Sequence, residues 1–297
     1  MDGLSAGELD TKLREFLRED IGSGDVTTES IVPEDAVAAA QIVAKSECVV
    51  SGLAVTRRVF ELLDPLLSWE DRARAGAKVP AGTTLARLSG KARAILTAER
   101  VALNLLQRMC GIATETHRYV EAVAGTGCRI MDTRKTVPGL RAFDRIAVRD
   151  GGGTNHRAGL HDMVLVKDNH RTIAGGVTSA LEAVRRNAPA GMPVEVEIES
   201  EEDLRQATVA GADVLLIDNQ SSETLGRWVA LVKRGGHGPE IEASGNMTLE
   251  KVRSYALAGA DSISVGALTH SVAAADISLE VAPHPDPLPA RGERGKA

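Results

Sequence analysis

The chain has 297 residues, 43% of them hydrophobic and 26% charged, with a formal net charge of -6 at pH 7. That length suffices for one large barrel or two domains whose core needs no disulfide. Aromatic residues are only 2%, so the core must be aliphatic; few base-stacking platforms exist, and with an acidic balance no nucleic-acid partner is expected. Cys48, Cys110 and Cys128 lack metal-binding spacing and fit a reduced, cytoplasmic chain. No apolar run approaches a membrane span and the N-terminal stretch is too charged for a secretory signal, so no membrane partner is expected either.

In chain order, apolar spacing predicts a helix over 7–19, with Leu9, Leu13, Phe16 and Leu17 on one face. The glycine-punctuated stretch from Asp20 to Thr27 reads as a loop. Residues 38–50 read as a strand or hairpin, broken by Ser51 and Gly52, and 55–63 return to helical spacing. A turn over 78–82 separates two more strands, and 96–123 are strongly helical, with Gly111 allowing a break between two helices. Residues 1–111 are therefore expected to form an α+β domain with nothing that looks catalytic.

Beyond Gly125 the texture changes to short apolar runs (129–132, 163–167, 194–198, 214–218, 240–243 and 262–266) alternating with amphipathic helices (176–186, 201–210, 223–234 and 248–257). Such alternation with short connections indicates parallel strands joined by right-handed crossovers. A weak internal repeat agrees, since Ala210-Gly211-Ala212-Asp213 recurs as Ala258-Gly259-Ala260-Asp261, each a helix end, a glycine cap and a new strand. Residues 112–282 suit a small (β/α) barrel better than an open sheet. The proline-rich tail, 283–297, is expected to be disordered.

The active site of such a barrel lies at the carboxyl ends of its strands. There the chain carries Asp132 with Arg134 and Lys135, Lys167 with Asp168, Glu197 with Glu199, Asp218 with Asn219, and Ser244. Arg134, Lys135, His156, Arg157 and Lys167 together call for a polyanionic ligand, a dicarboxylate, a phosphate or both. Glu195, Glu197 and Glu199 alternate with Val194, Val196 and Ile198, so all three acids share one strand face and need cations or a metal. Of the three, Glu197 is favoured to face the ligand, and with Asp218 it could meet Mg²⁺ or sugar hydroxyls. Ser244-Gly245-Asn246 and the segment from Gly266 to His270 each follow a late strand, where exposed N–H groups hold phosphates. Gly151-Gly152-Gly153 reads as a flexible turn that lets His156 and Arg157 reach the mouth, with a structural role as the default.

With those residues in hand, the chain resembles the quinolinate phosphoribosyltransferase family. The resemblance rests on Asp132-Thr133-Arg134-Lys135-Thr136, Gly151-Gly152-Gly153-Thr154-Asn155-His156-Arg157 and Lys167-Asp168-Asn169-His170, in that order, and covers nearly everything but the tail. It implies an N-terminal α/β sandwich domain, a C-terminal (β/α) barrel of the type II phosphoribosyltransferase kind, and a cytoplasmic homodimer in which Arg100 enters the neighbouring subunit's site. On that pattern Arg100, Arg134, His156, Arg157 and Lys167 hold quinolinate. Lys135, Glu197 and Asp218 act on phosphoribosyl pyrophosphate and its Mg²⁺, with Glu197 and Asp218 meeting the metal directly or through water. Ser244, Gly245, Gly266 and His270 hold the 5-phosphate. The implied reaction forms nicotinate mononucleotide, pyrophosphate and CO₂ in NAD biosynthesis. Two rival readings of the same residues are a phosphosugar aldolase using Lys167 as a Schiff-base amine, and a non-catalytic anion-binding barrel.

Overall fold

The computed structural model describes residues 5–233 and 238–281. The chain divides into two compact units, the first running to Cys110 and resuming at Ala274, the second spanning Gly111–Ala273. The tail 283–297 lies outside the described residues.

The first unit opens with α1 (Ala6–Ile21), which buries Leu9, Leu13 and Leu17 and starts at a Ser5–Glu8 capping box that satisfies two otherwise free N–H groups. The expected loop from Asp20 to Thr27 is shorter than its glycines suggest, because Asp25 accepts from the Thr28 N–H at 2.9 Å and nucleates α2 (Val26–Ile31). There follow β1 (Val37–Ala44), β2 (Cys48–Val49), α3 (Leu53–Leu63), β3 (Ser68–Asp71), β4 (Lys78–Val79), β5 (Thr84–Lys91) and α4 (Ala92–Ala122). The break expected at Gly111 is absent. One interior glycine costs a helix about 1 kcal/mol relative to alanine, and the buried side chains of Leu106, Met109, Ile112 and Ala113 around it offset that.

The second unit contains β6 (Arg129–Met131), α5 (Arg141–Asp150), β7 (Val164–Val166), α6 (Asp168–Ala174), α7 (Val177–Asn187), β8 (Val194–Ile198), α8 (Glu201–Val209), β9 (Val214–Asp218), α9 (Ser222–Val232), β10 (Glu240–Ser244), α10 (Leu249–Leu257), β11 (Ser262–Ser264) and α11 (Ala267–His270). Its six strands pair in parallel in the order β6-β11-β10-β9-β8-β7. A single bridge from Met131 to Thr154 extends the β6 edge, and residues 155–163 run from there to the β7 edge. The sheet is thus an incomplete barrel whose gap is spanned by the segment carrying Asn155, His156 and Arg157.

The last strand, β12 (Ile277–Val281), belongs to the first unit. It pairs antiparallel with β1 and completes a four-stranded sheet of the first unit, ordered β12-β1-β5-β3. Five residues of register place apolar Ile277 opposite Ala44 and Leu279 opposite Ile42, a match for this sheet that parallel pairing at a barrel edge does not require.

Period two divides each barrel strand between two environments. Val196, Ile198, Leu215, Ile217, Ile241, Ala243 and Ile263 pack against Leu181, Leu204, Leu225, Trp228 and Val252 from the helices, which is the aliphatic core that the composition demands. The alternate positions carry Glu195, Glu197, Leu216, Asp218, Glu242 and Ser244 to the other face.

The repeated Ala-Gly-Ala-Asp acquires a structural explanation. Gly211 and Gly259 have φ of 74° and 105°, the left-handed region that ends a helix cheaply only with glycine. Ala212 and Ala260 are buried, and each aspartate hooks the preceding strand. Asp213 N–H donates to the Val194 carbonyl while its Oδ2 accepts from Val194 N–H at 2.8 Å; Asp261 does the same with Ile241.

The glycine triplet is not a flexible turn. A Cβ on Gly151 would stand 2.5 Å from the Ala113 carbonyl oxygen, and one on Gly153 2.7 Å from Thr116 Cγ2, so these residues are seats for close backbone packing. Gly151→Ala is expected to lower stability in chemical unfolding by about 1–3 kcal/mol. Gly7→Ala, which meets nothing within 4 Å, should be neutral or stabilising.

Candidate active site

The carboxyl ends of the barrel strands enclose a cleft of about 560 Å³ lined by Arg134, Lys135, His156, Arg157, Lys167, Glu197, Asp218, Ser244 and Gly245 among others. Nine of the residues expected from sequence therefore share one cavity. Gly266 and His270 do not line it but sit beside it, since a Cβ on Gly266 would lie 3.0 Å from Lys135 Cδ and 3.1 Å from the His270 ring. Arg100 is an exposed residue of α4 in the first unit.

Strand β6 ends in Asp132, which does not join the mouth. Its side chain is buried, accepting from Asn155 Nδ2 at 2.6 Å and from the His156 backbone N–H at 2.7 Å. Burial raises its pKa, opposed by the His156 N–H, Arg145 and Asn155. Asp132 thus tethers the segment that spans the barrel gap. Arg134 and Lys135 follow, with Thr269 Oγ1 donating to the Lys135 carbonyl at 2.9 Å.

Glu195 and Glu197 of β8, and Glu199 just beyond it, meet three different cations. Glu199 pairs with Arg171 at 2.6 Å, Glu197 with Lys167 at 3.2 Å, and Glu195 lies 3.1 Å from His156 Nε2. Of the three, Glu197 lines the cleft. Register places Asp218 beside Ser244 on the neighbouring strand.

Among the described residues, Arg134, Lys135 and Arg157 make no ion pair, and Arg134 Nε is buried without a hydrogen-bond partner. Burial and the adjacent Arg134 both lower the Arg157 pKa. Cations kept close without counter-charges form a site made for an anion with more than one charged group. Beneath them His156 Nε2 lies 3.1 Å from Glu195 and 3.4 Å from Glu242. Burial works against charge on the imidazole, while the two carboxylates favour it. Burial, countered by His156 and reinforced by Glu242, pushes Glu195 up to about 7.

Two polar lining residues, Glu242 and Ser264, escaped sequence reasoning as site members. Glu242 alternates with Ile241 and Ala243 as Glu197 does with its neighbours, so its signal was available. Asn219 and Asn246 are the only non-glycine residues with positive φ among those described, 53° and 42°. Both line the cleft, where such strain concentrates. Asn219 donates from Nδ2 to Asp218 Oδ2 at 2.6 Å, and it leaves no room for a Cβ on Gly245, which would fall 2.3 Å from its Oδ1.

This arrangement, a parallel barrel whose strand ends set free cations against two carboxylates, has close relatives. Residues 112–280 match the quinolinate phosphoribosyl transferase C-terminal domain and residues 25–110 the N-terminal domain of the same enzyme. The chain belongs to the quinolinate phosphoribosyltransferase family. It is 43% identical over 274 residues to the probable nicotinate-nucleotide pyrophosphorylase [carboxylating] of Bacillus subtilis, covering 92% of this chain and 93% of that one. It is 41% identical to the nicotinate-nucleotide pyrophosphorylase [carboxylating] of Mycobacterium leprae, covering 91% and 95%. Among solved structures, NadC from Streptococcus pyogenes superimposes with a TM-score of 0.89 at 37% identity, covering 94% of this chain and 98% of that one. The nicotinate-nucleotide pyrophosphorylase from Francisella tularensis gives 0.88 at 35%, covering 95% and 98%.

Asn219 offers a test of the strained strand end. Asn219→Ala should cost about 1–2 kcal/mol in chemical unfolding because alanine resists a left-handed backbone. Asn219→Gly should unfold near wild type, although both lose the contact to Asp218.

Proposed function

We propose that this chain transfers phosphoribosyl from phosphoribosyl pyrophosphate to quinolinate with loss of CO₂, yielding nicotinate mononucleotide and pyrophosphate for NAD biosynthesis. The observation that carries the reading is the pairing, in one cleft, of free cations with the carboxylates of Glu197 and Asp218. Family membership supplies the substrates.

Arg134, Arg157 and Lys167 take the two carboxylates of quinolinate, with His156 ordering that side of the cleft and Arg100 completing it from the neighbouring subunit of a homodimer. Ser244 and Gly245, supported by Gly266 and His270, hold the 5-phosphate. Lys135 binds the pyrophosphate side. As pyrophosphate leaves, positive charge develops on the ribose carbon, and Glu197 and Asp218 stabilise it electrostatically. Alkylation makes the pyridinium ring an electron sink, so the adjacent carboxylate departs without a protein nucleophile. The protein contributes positioning and fixed charge.

The two carboxylates fit Mg²⁺, which takes hard oxygen donors and is usually held by one or two carboxylates plus substrate phosphates. When bound, it neutralises the leaving pyrophosphate. The aldolase alternative fares worse, because Lys167 Nζ is ion-paired with Glu197 and its side chain is 48% exposed, unlike a desolvated Schiff-base amine.

Purified protein with phosphoribosyl pyrophosphate, Mg²⁺ and carboxyl-labelled quinolinate should release labelled CO₂ and nicotinate mononucleotide, and omission of the metal should stop it. Turnover with nicotinate instead would overturn the acceptor assignment. Lys135→Ala should lower turnover by on the order of a hundredfold; a near-normal rate would refute its role. Mixing inactive Arg100→Ala and Lys135→Ala proteins should recover activity that neither has alone, since a mixed dimer contains one intact site. No recovery would place Arg100 in its own subunit's site.

A further inference from the structure

Two carboxylates of the second unit have no part in the chemistry above, yet both are buried. Glu195 on β8 is 0% exposed and Glu242 on β10 is 2% exposed. Both oxygens of Glu195 and Oε1 of Glu242 lack a hydrogen-bond partner. Acids so placed are tolerated only where a positive group or a shared proton faces them. What faces them is His156, with Nε2 3.1 Å from Glu195 and 3.4 Å from Glu242.

By distance alone the trio could hold a divalent metal, its donor atoms lying within 4.8 Å of one another. The other edge of the ring decides against it. A neutral imidazole that binds a metal through Nε2 keeps its proton on Nδ1. Here Nδ1 accepts the backbone N–H of Arg157 at 2.7 Å, so it is bare and the ring proton is on Nε2, the nitrogen beside the two acids. That proton fills the space a metal would take.

The ring is held from the main chain as well. The His156 N–H donates to Asp132 and its carbonyl accepts from Arg145 Nη1 at 2.6 Å. Arg157 has a second hold, from Nη1 to the Met163 carbonyl at 3.2 Å.

We propose that Glu195 and Glu242 are positioning residues for the anion site: they fix His156 with its proton on Nε2, leaving Nδ1 to hold the Arg157 backbone N–H and so set where the Arg157 guanidinium stands. The acids act through His156 and touch no substrate atom. They also put negative charge under the Arg134–Arg157 pair. The inference deepens the functional reading, since it rests on the cleft being a dicarboxylate site.

The test uses full-length protein labelled with ¹⁵N-histidine, with His156→Asn identifying the ring's signals. Two-bond ¹H–¹⁵N correlation reads the tautomer. The expected wild-type result is His156 protonated on Nε2, and an Nδ1-protonated ring would overturn the proposal whether or not any variant folds. Metal analysis of the same protein should find no stoichiometric transition metal; one lost in Glu195→Gln would also overturn it. Glu195→Gln and Glu242→Gln keep the side-chain shape. Each should disturb the tautomer and weaken binding of phthalate, an unreactive vicinal dicarboxylate, by about tenfold or more, leaving pyrophosphate binding unchanged. Equal loss of both ligands would indicate a general structural defect and overturn the positioning role, as would unchanged phthalate binding. If wild-type protein bound no phthalate, the dicarboxylate reading would fail, and the tautomer result would still decide the placement of His156.

Discussion

Burial and the nearby Arg134 guanidinium both lower the Arg157 pKa, and much of the barrel mouth is arranged around that repulsion. Left alone, such a pair would swing apart into solvent. Arg157 is kept in place by main-chain anchorage. Asp132 fixes the start of the gap-spanning segment, Arg145 grips the His156 carbonyl, and the Met163 carbonyl holds the Arg157 guanidinium. Electrostatic work is thereby done at folding and returned when a dianion enters, which is the meaning of a preorganised site.

The same strands build the core and the chemistry. Val196 and Ile198 face the helices while Glu195 and Glu197 lie on the opposite face, Glu197 lining the cleft, so a one-residue slip would drive acids into an apolar layer. The hooks made by Asp213 and Asp261 tie neighbouring strands at their first residues, where a slip would begin. Register, fold and site are consequently one property of the sequence.

That unity explains what was legible. Strands 194–198 and 214–218 were read to the residue, because alternation with turn signals at both ends leaves one solution. The cationic residues were recognisable because so many cannot share a mouth without a ligand. Other features lacked a local signal. Helix α5 carries arginines through an otherwise apolar pattern, and α6 has only seven residues. Asp132 looked like a mouth residue because nothing in the sequence shows that a later segment returns to cover it. The burial of Glu195 depends on Glu242 and His156, which come from different strands and a loop. The pairing of β12 with β1 joins the two ends of the described chain, beyond the reach of any window-based reading.

That last pairing bears on how the chain is made. Each hook of the barrel closes over a short stretch, 19 residues between Val194 and Asp213, so successive units can lock as they emerge during synthesis at little cost in loop entropy. The Lys45–Glu280 contact beside β12 spans 235 residues. The β1 edge therefore keeps unpaired N–H and C=O groups until β12 has been synthesised. During that interval the nascent N-terminal sheet, and not the barrel that carries the chemistry, is the part of the chain most exposed to pairing with the wrong strand.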